Sequence, residues 1–120
     1  GCGEGECGAC AVLIDGELIN SCLVALGSVE NGHVLTLEGF RETERYRVLA
    51  QAYEEAGAVQ CGFCTPGMVL ASEYLLSKNA RPTRDEIRVA LSGNLCRCTG
   101  YEKIIHAIEL ASERGAGKLW

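Results

Sequence analysis

Gln60-Cys61-Gly62-Phe63-Cys64-Thr65-Pro66-Gly67 is the stretch that orders the rest of the chain. Two residues separate its cysteines, and a Thr-Pro-Gly able to open a helix follows directly. Proline suits the first helical position, where its missing N–H costs nothing. A second pair, Cys96 and Cys98 in Asn94-Leu95-Cys96-Arg97-Cys98-Thr99-Gly100-Tyr101, lies just before another apolar periodic run. Four thiolates at two helix entrances form a metal-site candidate. A helix N-terminus favours negative charge, so it suits thiolates and an anionic cluster.

The residues around these pairs carry helical signals. Val48, Leu49, Ala52, Tyr53 and Ala56 recur at helical spacing from Tyr46, and Gly57 suits a C-terminal cap. Met68 to Leu76 is apolar nearly all round, broken by Ser72 and Glu73, which predicts a largely buried helix. Thr83-Arg84-Asp85-Glu86 reads as a capping box leading to Ile87, Ala90 and Leu91, with Gly93 as the stop. Ile104, Ile105, Ile108 and Ala111 mark a last helix from near Tyr101, and Gly115 to Trp120 reads as a short tail. The second half is therefore expected to hold four helices, with a cysteine pair at each of two loop–helix junctions.

Upstream the chain changes character. Residues 1–10 form a Gly-rich loop carrying Cys2, Cys7 and Cys10, and Cys22 follows after eleven intervening residues. The C-x4-C-x2-C spacing matches the plant-type ferredoxin loop. Cluster sulfurs need inward-pointing amide donors, and Gly3, Gly5 and Gly8 permit the tight turns that supply them. Ala11 to Ile14 and Glu17 to Ile19 read as two strands joined at Asp15-Gly16, a hairpin signal that returns Cys22 to the loop. Asn31-Gly32 is a second turn signal, followed by Val34-Leu35-Thr36-Leu37 as another strand, and Gly39 to Arg45 reads as a polar linker. This β-rich part is small for an independent sheet. It begins Gly1-Cys2, so the expectation is a domain that lacks its N-terminal part.

Composition narrows the classes. The formal charge is −5, with no charge run, which argues against a nucleic-acid surface. No apolar run approaches the roughly 18 residues that span a bilayer. Eight cysteines in 120 residues raise the possibility of a secreted disulfide scaffold. Against it stand the clustering of the cysteines, the long helical patterns and the lack of a visible signal peptide; cytoplasmic metal ligation fits better. Only His33 and His106 are present, both away from the cysteine pairs, so blue-copper and Rieske ligation are excluded. Glu4, Glu6, Glu54 and Glu55 read as solvated carboxylates rather than an acid–base set. Structural zinc competes for Cys61, Cys64, Cys96 and Cys98, although C-x-C is tighter than usual zinc spacing. The ferredoxin-like first set favours [2Fe–2S], and one redox cluster gives a second a use.

Taken together, Gly1 to Cys10, Cys22, Gln60 to Met68 and Gly93 to Tyr101 make the chain resemble the small iron–sulfur subunit of the molybdenum hydroxylases. This is the xanthine dehydrogenase, aldehyde oxidase and carbon monoxide dehydrogenase family. The resemblance implies an α+β fold. Residues 1–40 would be the C-terminal part of a truncated β-grasp [2Fe–2S] ferredoxin-like domain, 41–45 a linker and 46–120 an all-α four-helix [2Fe–2S]-binding domain. It implies that Cys2, Cys7, Cys10 and Cys22 hold the cluster nearer a flavin. Cys61, Cys64, Cys96 and Cys98 would hold the one nearer molybdenum, with Gln60 and Cys98 touching the pterin. The implied role is electron transfer from molybdopterin, in its cytosine dinucleotide form, through both clusters to FAD. A large molybdopterin-binding subunit and a medium FAD-binding subunit are the implied partners, and the substrate-oxidising site lies on the large one. Ala58 to Cys64 looks most like the xanthine branch; aldehyde, CO and N-heterocycle dehydrogenases are the alternatives. A zinc-stabilised interaction module and a free-standing ferredoxin are the rival readings.

Overall fold

Asp15 and Gly16 adopt φ values of 51° and 84°, the positive pair that a tight two-residue hairpin turn requires. They join β1 (Ala11–Ile14) to β2 (Glu17–Asn20) with Ile14 opposite Glu17 and Ala11 opposite Asn20. The computed structural model describes residues 1–120, and the hairpin is where its sheet begins. β3 (Val34–Leu35) pairs antiparallel on the other edge of β1, giving the order β2-β1-β3. The hairpin register sets Ser21 beside Cys10, whose carbonyl accepts from the Ser21 amide at 3.2 Å and hydroxyl at 2.8 Å. Cys22 therefore returns to the first cysteine loop, as the turn signal predicts.

The third strand stops at Leu35, short of the expected Leu37. Residues Leu37–Phe40 instead form a short helix, α1. Phe40 explains the change, because its ring is buried and meets the Tyr46 ring edge-on at 5.9 Å. Staying extended would leave that ring in water. The stretch 41–45 is likewise no free linker. Thr43 caps α2 (Glu44–Glu55) by accepting the Tyr46 amide at 3.1 Å, and Arg45 donates to the Leu119 carbonyl at 2.8 Å.

Four helices follow Phe40 as expected: α2, α3 (Thr65–Lys78), α4 (Arg84–Ala90) and α5 (Glu102–Gly115). Gly57 ends α2 in the left-handed region at φ 62°. The Ala58 amide then reaches the Tyr53 carbonyl at 2.8 Å, and the Gly57 amide the Glu54 carbonyl at 3.0 Å, the paired bonds of a glycine C-cap. Pro66 lies in the first turn of α3, and Thr83 and Glu86 complete the capping box of α4. α4 ends before Gly93, with Leu91 as its cap.

α3 is the buried helix. Residues 67 to 73 and Leu76 are all shielded on it, including Ser72 and Glu73. The Ser72 hydroxyl bonds both the Met68 carbonyl at 2.7 Å and the Tyr53 hydroxyl at 2.9 Å. Glu73 accepts from Arg45 at 2.8 Å and from the Trp120 indole at 2.9 Å. Both buried polar groups are thus satisfied, as burial demands. The bond to Trp120 also corrects the expected tail. A Cβ on Gly115 would strike the Trp120 ring, so the glycine is the seat onto which the chain folds back.

A single buried cluster unites the two parts. Leu13 of β1 belongs with Leu49 and Tyr53 of α2, Met68 and Leu76 of α3, Ile87 of α4 and Ile104 and Ile108 of α5. Charged ties reinforce the packing. Glu17 of β2 holds Lys78 of α3 at 2.8 Å and Tyr74 at 2.6 Å, and Arg84 of α4 holds Glu109 of α5 at 2.8 Å. No helix is long and apolar enough to cross a membrane.

Candidate metal centres

The eight cysteines are all free thiols, and the fold gathers them into two groups. In the Gly-rich loop the amides of Glu4, Cys7 and Glu6 point at the Cys2 sulfur and bring that thiol down to about 6. The Glu4 and Glu6 contacts are 3.3 and 3.4 Å long. The Cys7 thiol is Cys2's neighbour. Cys10 is lowered chiefly by the Cys22 amide, with the Cys22 thiol and Ser21 hydroxyl assisting against partial burial. Cys22 is raised because it sits against Cys10. The first set is therefore two touching pairs, Cys2 with Cys7 and Cys10 with Cys22. Cys22 also feels the charge of Cys2.

The second set repeats the arrangement. Cys64 is the N-cap residue of α3, and Cys96 and Cys98 precede Tyr101, the N-cap of α5. Cys98 and Cys61 sulfurs stand 3.5 Å apart. The Phe63 amide, then the Cys98 thiol, lower Cys61, and Cys61 in turn raises Cys98. Burial, then the neighbouring Cys96, pushes Cys64 up to about 11. Burial also opposes ionisation of Cys96, but the Thr99 hydroxyl and amide, together with the Cys98 amide and the Cys64 thiol, outweigh it and the thiol sits at about 7. In three of the four pairs one sulfur is eased towards thiolate and its neighbour is held as thiol. Amide and hydroxyl donors lower the one, and the adjacent sulfur, with burial first at Cys64, raises the other.

These donors suit a binuclear cluster. A single tetrahedral ion draws four sulfurs to one point, whereas two irons take two thiolates each. The Cys61 and Cys98 sulfurs stand as one pair, and Cys61, Cys64, Cys96 and Cys98 all line one hollow. Glu4, Glu6 and Glu54 stand exposed, as do His33 and His106; Glu55 is tied to Arg114 at 2.5 Å.

The contact between the two groups was not foreseen from sequence. The Cys7 carbonyl accepts the Leu95 amide at 2.9 Å, one residue before Cys96. Gly8 is buried against Gly67 in the first turn of α3, and buried Asn94 donates to the Gly8 carbonyl at 3.4 Å. The hollow lined by Cys61, Cys64, Cys96 and Cys98 also includes Cys7 and exposed Phe63. Gly67 carried the one available signal, since glycine inside a helical run costs about 1 kcal/mol and implies close packing. Thr99 and Tyr101 were missed as well. The Thr99 hydroxyl donates to the Cys96 sulfur at 3.0 Å, and the Tyr101 hydroxyl accepts the Cys96 amide at 2.9 Å. Gln60 is exposed beside exposed Cys61 and Val59, on the far side of the Gly57 turn from α2.

Comparison with known proteins agrees with this chemistry. Residues 36–109 match the family of the [2Fe-2S] binding domain. The chain is 53% identical over 116 residues to the nicotinate dehydrogenase small FeS subunit of Eubacterium barkeri, covering 97% of this chain and 74% of that protein. It is 49% identical over 110 residues to the xanthine dehydrogenase iron-sulfur-binding subunit of Escherichia coli O157:H7, covering 90% and 69%. Its fold is similar to that of a chain of quinoline 2-oxidoreductase from Pseudomonas putida 86. There the TM-score is 0.86 and the identity 44%, over 96% of this chain and 74% of that one.

Proposed function

The chain belongs to the iron–sulfur subunits of the molybdenum hydroxylases, and from that premise we propose that it relays electrons between two partner subunits. The donor is a molybdopterin site, with the cofactor in its cytosine dinucleotide form, on a large subunit. The acceptor is FAD on a medium subunit. The observation that carries the proposal is the gathering of eight free thiols into two sets of two pairs. A bound [2Fe–2S] cluster supplies one-electron transfer.

In this reading Cys2, Cys7, Cys10 and Cys22 would hold the first cluster, and Cys61, Cys64, Cys96 and Cys98 the second. The raised thiols, Cys22 and Cys98 by their neighbours and Cys64 chiefly by burial, must lose their protons on metal binding. Amides of Glu4, Glu6 and Phe63 point at sulfur, so these loops supply part of the cradle. Residues 1–40 act as part of a ferredoxin-type domain and 46–120 as the helical domain, packed on one another through Gly8, Gly67 and Asn94. Gln60 and Cys98, both exposed, form the contact with the pterin. Free thiols suit a cytoplasmic home.

Substrate residues lie on another chain. Proteins named for nicotinate and xanthine are 53% and 49% identical to this one against 38% for an aldehyde oxidoreductase, which supports an aromatic N-heterocycle as substrate, xanthine among them. Iron and zinc analysis together with EPR of the dithionite-reduced native complex tests the relay. Two distinct [2Fe–2S] signals are expected. Stoichiometric zinc with EPR silence would overturn the relay in favour of a zinc-stabilised module.

A further inference from the structure

Residues 96 to 101 close a ring of hydrogen bonds. The Cys96 amide donates to the Tyr101 hydroxyl at 2.9 Å. The Tyr101 amide donates to the Thr99 hydroxyl oxygen at 3.2 Å. The Thr99 hydroxyl donates to the Cys96 sulfur at 3.0 Å, and the Thr99 amide adds a contact to the same sulfur at 3.4 Å. Tyr101 completes the ring in the left-handed region, at φ 69°. That conformation is uncommon for an aromatic residue.

The ring fixes the direction of one proton. A threonine hydroxyl has a single O–H to give, and its oxygen accepts as well. Here an amide occupies the oxygen, so the O–H is left for sulfur. The Cys96 amide is committed to the Tyr101 hydroxyl. Thr99 is thus the source of two donors to this sulfur. The other threonine that directly follows a cysteine of this set, Thr65, is built into the first turn of α3 instead. Cys96 and Thr99 are partly shielded, whereas Cys61 and Cys98 are exposed, and a hydrogen bond is worth more where water is excluded.

A donor to sulfur acts unequally on the two oxidation levels. Reduction by one electron adds negative charge, part of which spreads onto the sulfur ligands. A hydrogen bond strengthens with the charge on its acceptor, so it favours the reduced level and raises the potential. We propose that Thr99 sets the reduction potential of the cluster held by Cys61, Cys64, Cys96 and Cys98, by holding its hydroxyl proton on the Cys96 sulfur. Thr99 is a positioning residue: it touches a ligand, not the metal. The inference rests on the relay reading and sharpens it, because the potential of this cluster sets how readily it takes an electron and passes it on.

The test is an EPR-monitored redox titration of the native complex with Thr99→Val and Thr99→Ser. Valine keeps the shape and removes the hydroxyl; serine restores it. In Thr99→Val the midpoint of the second signal should fall by roughly a tenfold change in the reduced-to-oxidised ratio, about 59 mV for a one-electron couple. The first signal should stay in place, and Thr99→Ser should titrate near the wild type. An unchanged midpoint in Thr99→Val overturns the inference, as does an equal shift in Thr99→Ser. Loss of the second signal in Thr99→Val also overturns it, because the residue would then hold the cluster rather than tune it. Absence of a second [2Fe–2S] signal from the wild-type complex would instead reject the relay reading itself.

Discussion

Gly67→Ala inverts an ordinary rule. Replacing glycine by alanine inside a helix gains about 1 kcal/mol from backbone entropy, and somewhat less in the first turn. At Gly67 the added Cβ would land on the Gly8 carbonyl oxygen, 3.0 Å from Asn94 Nδ2 and 3.1 Å from the Gly8 carbonyl carbon. Little there can yield. The Gly8 carbonyl takes the Ala11 amide at 3.1 Å and the Asn94 side chain at 3.4 Å, and Gly8 itself sits at φ 72°. Overpacking of this kind costs about 1–3 kcal/mol, and the strained Asn94 bond about another 1 kcal/mol. Set against the helix gain, the balance is a loss of about 2 kcal/mol. With a urea slope of about 1–3 kcal/mol per molar, the unfolding midpoint should fall by roughly 1 M. Far-UV circular dichroism of the iron-loaded protein reads this directly. Gly93→Ala is the control, since its Cβ would meet open space, and it should stay within about 0.5 kcal/mol of the wild type. A Gly67→Ala protein as stable as the wild type, or more so, would refute the close-approach argument.

Cys98→Ser should abolish the second EPR signal and spare the first; equal loss of both would show that the partition of the ligands is wrong. Gln60→Ala should retain full iron content but bind the molybdopterin subunit less tightly in pull-down or calorimetry; a fall in iron content would make its role structural. Lys78, with help from Tyr74, holds the Glu17 carboxyl below its ordinary value of 4.5. Its folded pKa is the lower one, so the tie contributes above about 4.5 and is lost as the pH falls through the folded value. Unfolding free energies of wild type and Glu17→Gln measured from pH 6 to 3 should therefore converge towards acid; parallel curves would dismiss the linkage. Trp120→Ala empties the seat over Gly115 and strips one donor from buried Glu73, a loss of about 2–3 kcal/mol in urea unfolding. An unchanged midpoint would mean that the C-terminal turn contributes nothing.

What could be read from the sequence was local. Asp15-Gly16, Gly57, Pro66 and the Thr83–Glu86 box each act within a few residues, so their outcome follows from φ preference and the nearest amides. Cysteine spacing is local too, which is why both thiol sets were legible. Phe40 was not, because only the Tyr46 ring and the buried cluster around it turn an extended stretch into α1. Glu73 looked like a break in an apolar helix; its partners Arg45 and Trp120 lie 28 and 47 residues away. Asn94, 86 residues from Gly8, is of the same kind. Thr99 failed for a different reason. It sits within three residues of its sulfur, but only the left-handed Tyr101 aims it there.

The Leu95 amide has a place in the fold that makes it a sentinel. Its side chain stands in solvent, yet its N–H is covered by the Cys7 carbonyl, 88 residues away in sequence. Nothing in its own loop shields it. Deuterium from the solvent can enter there whenever either loop lifts from the other, so its exchange rate follows the weaker of the two anchorages. One backbone proton thus records how firmly two distant stretches of the chain are clasped.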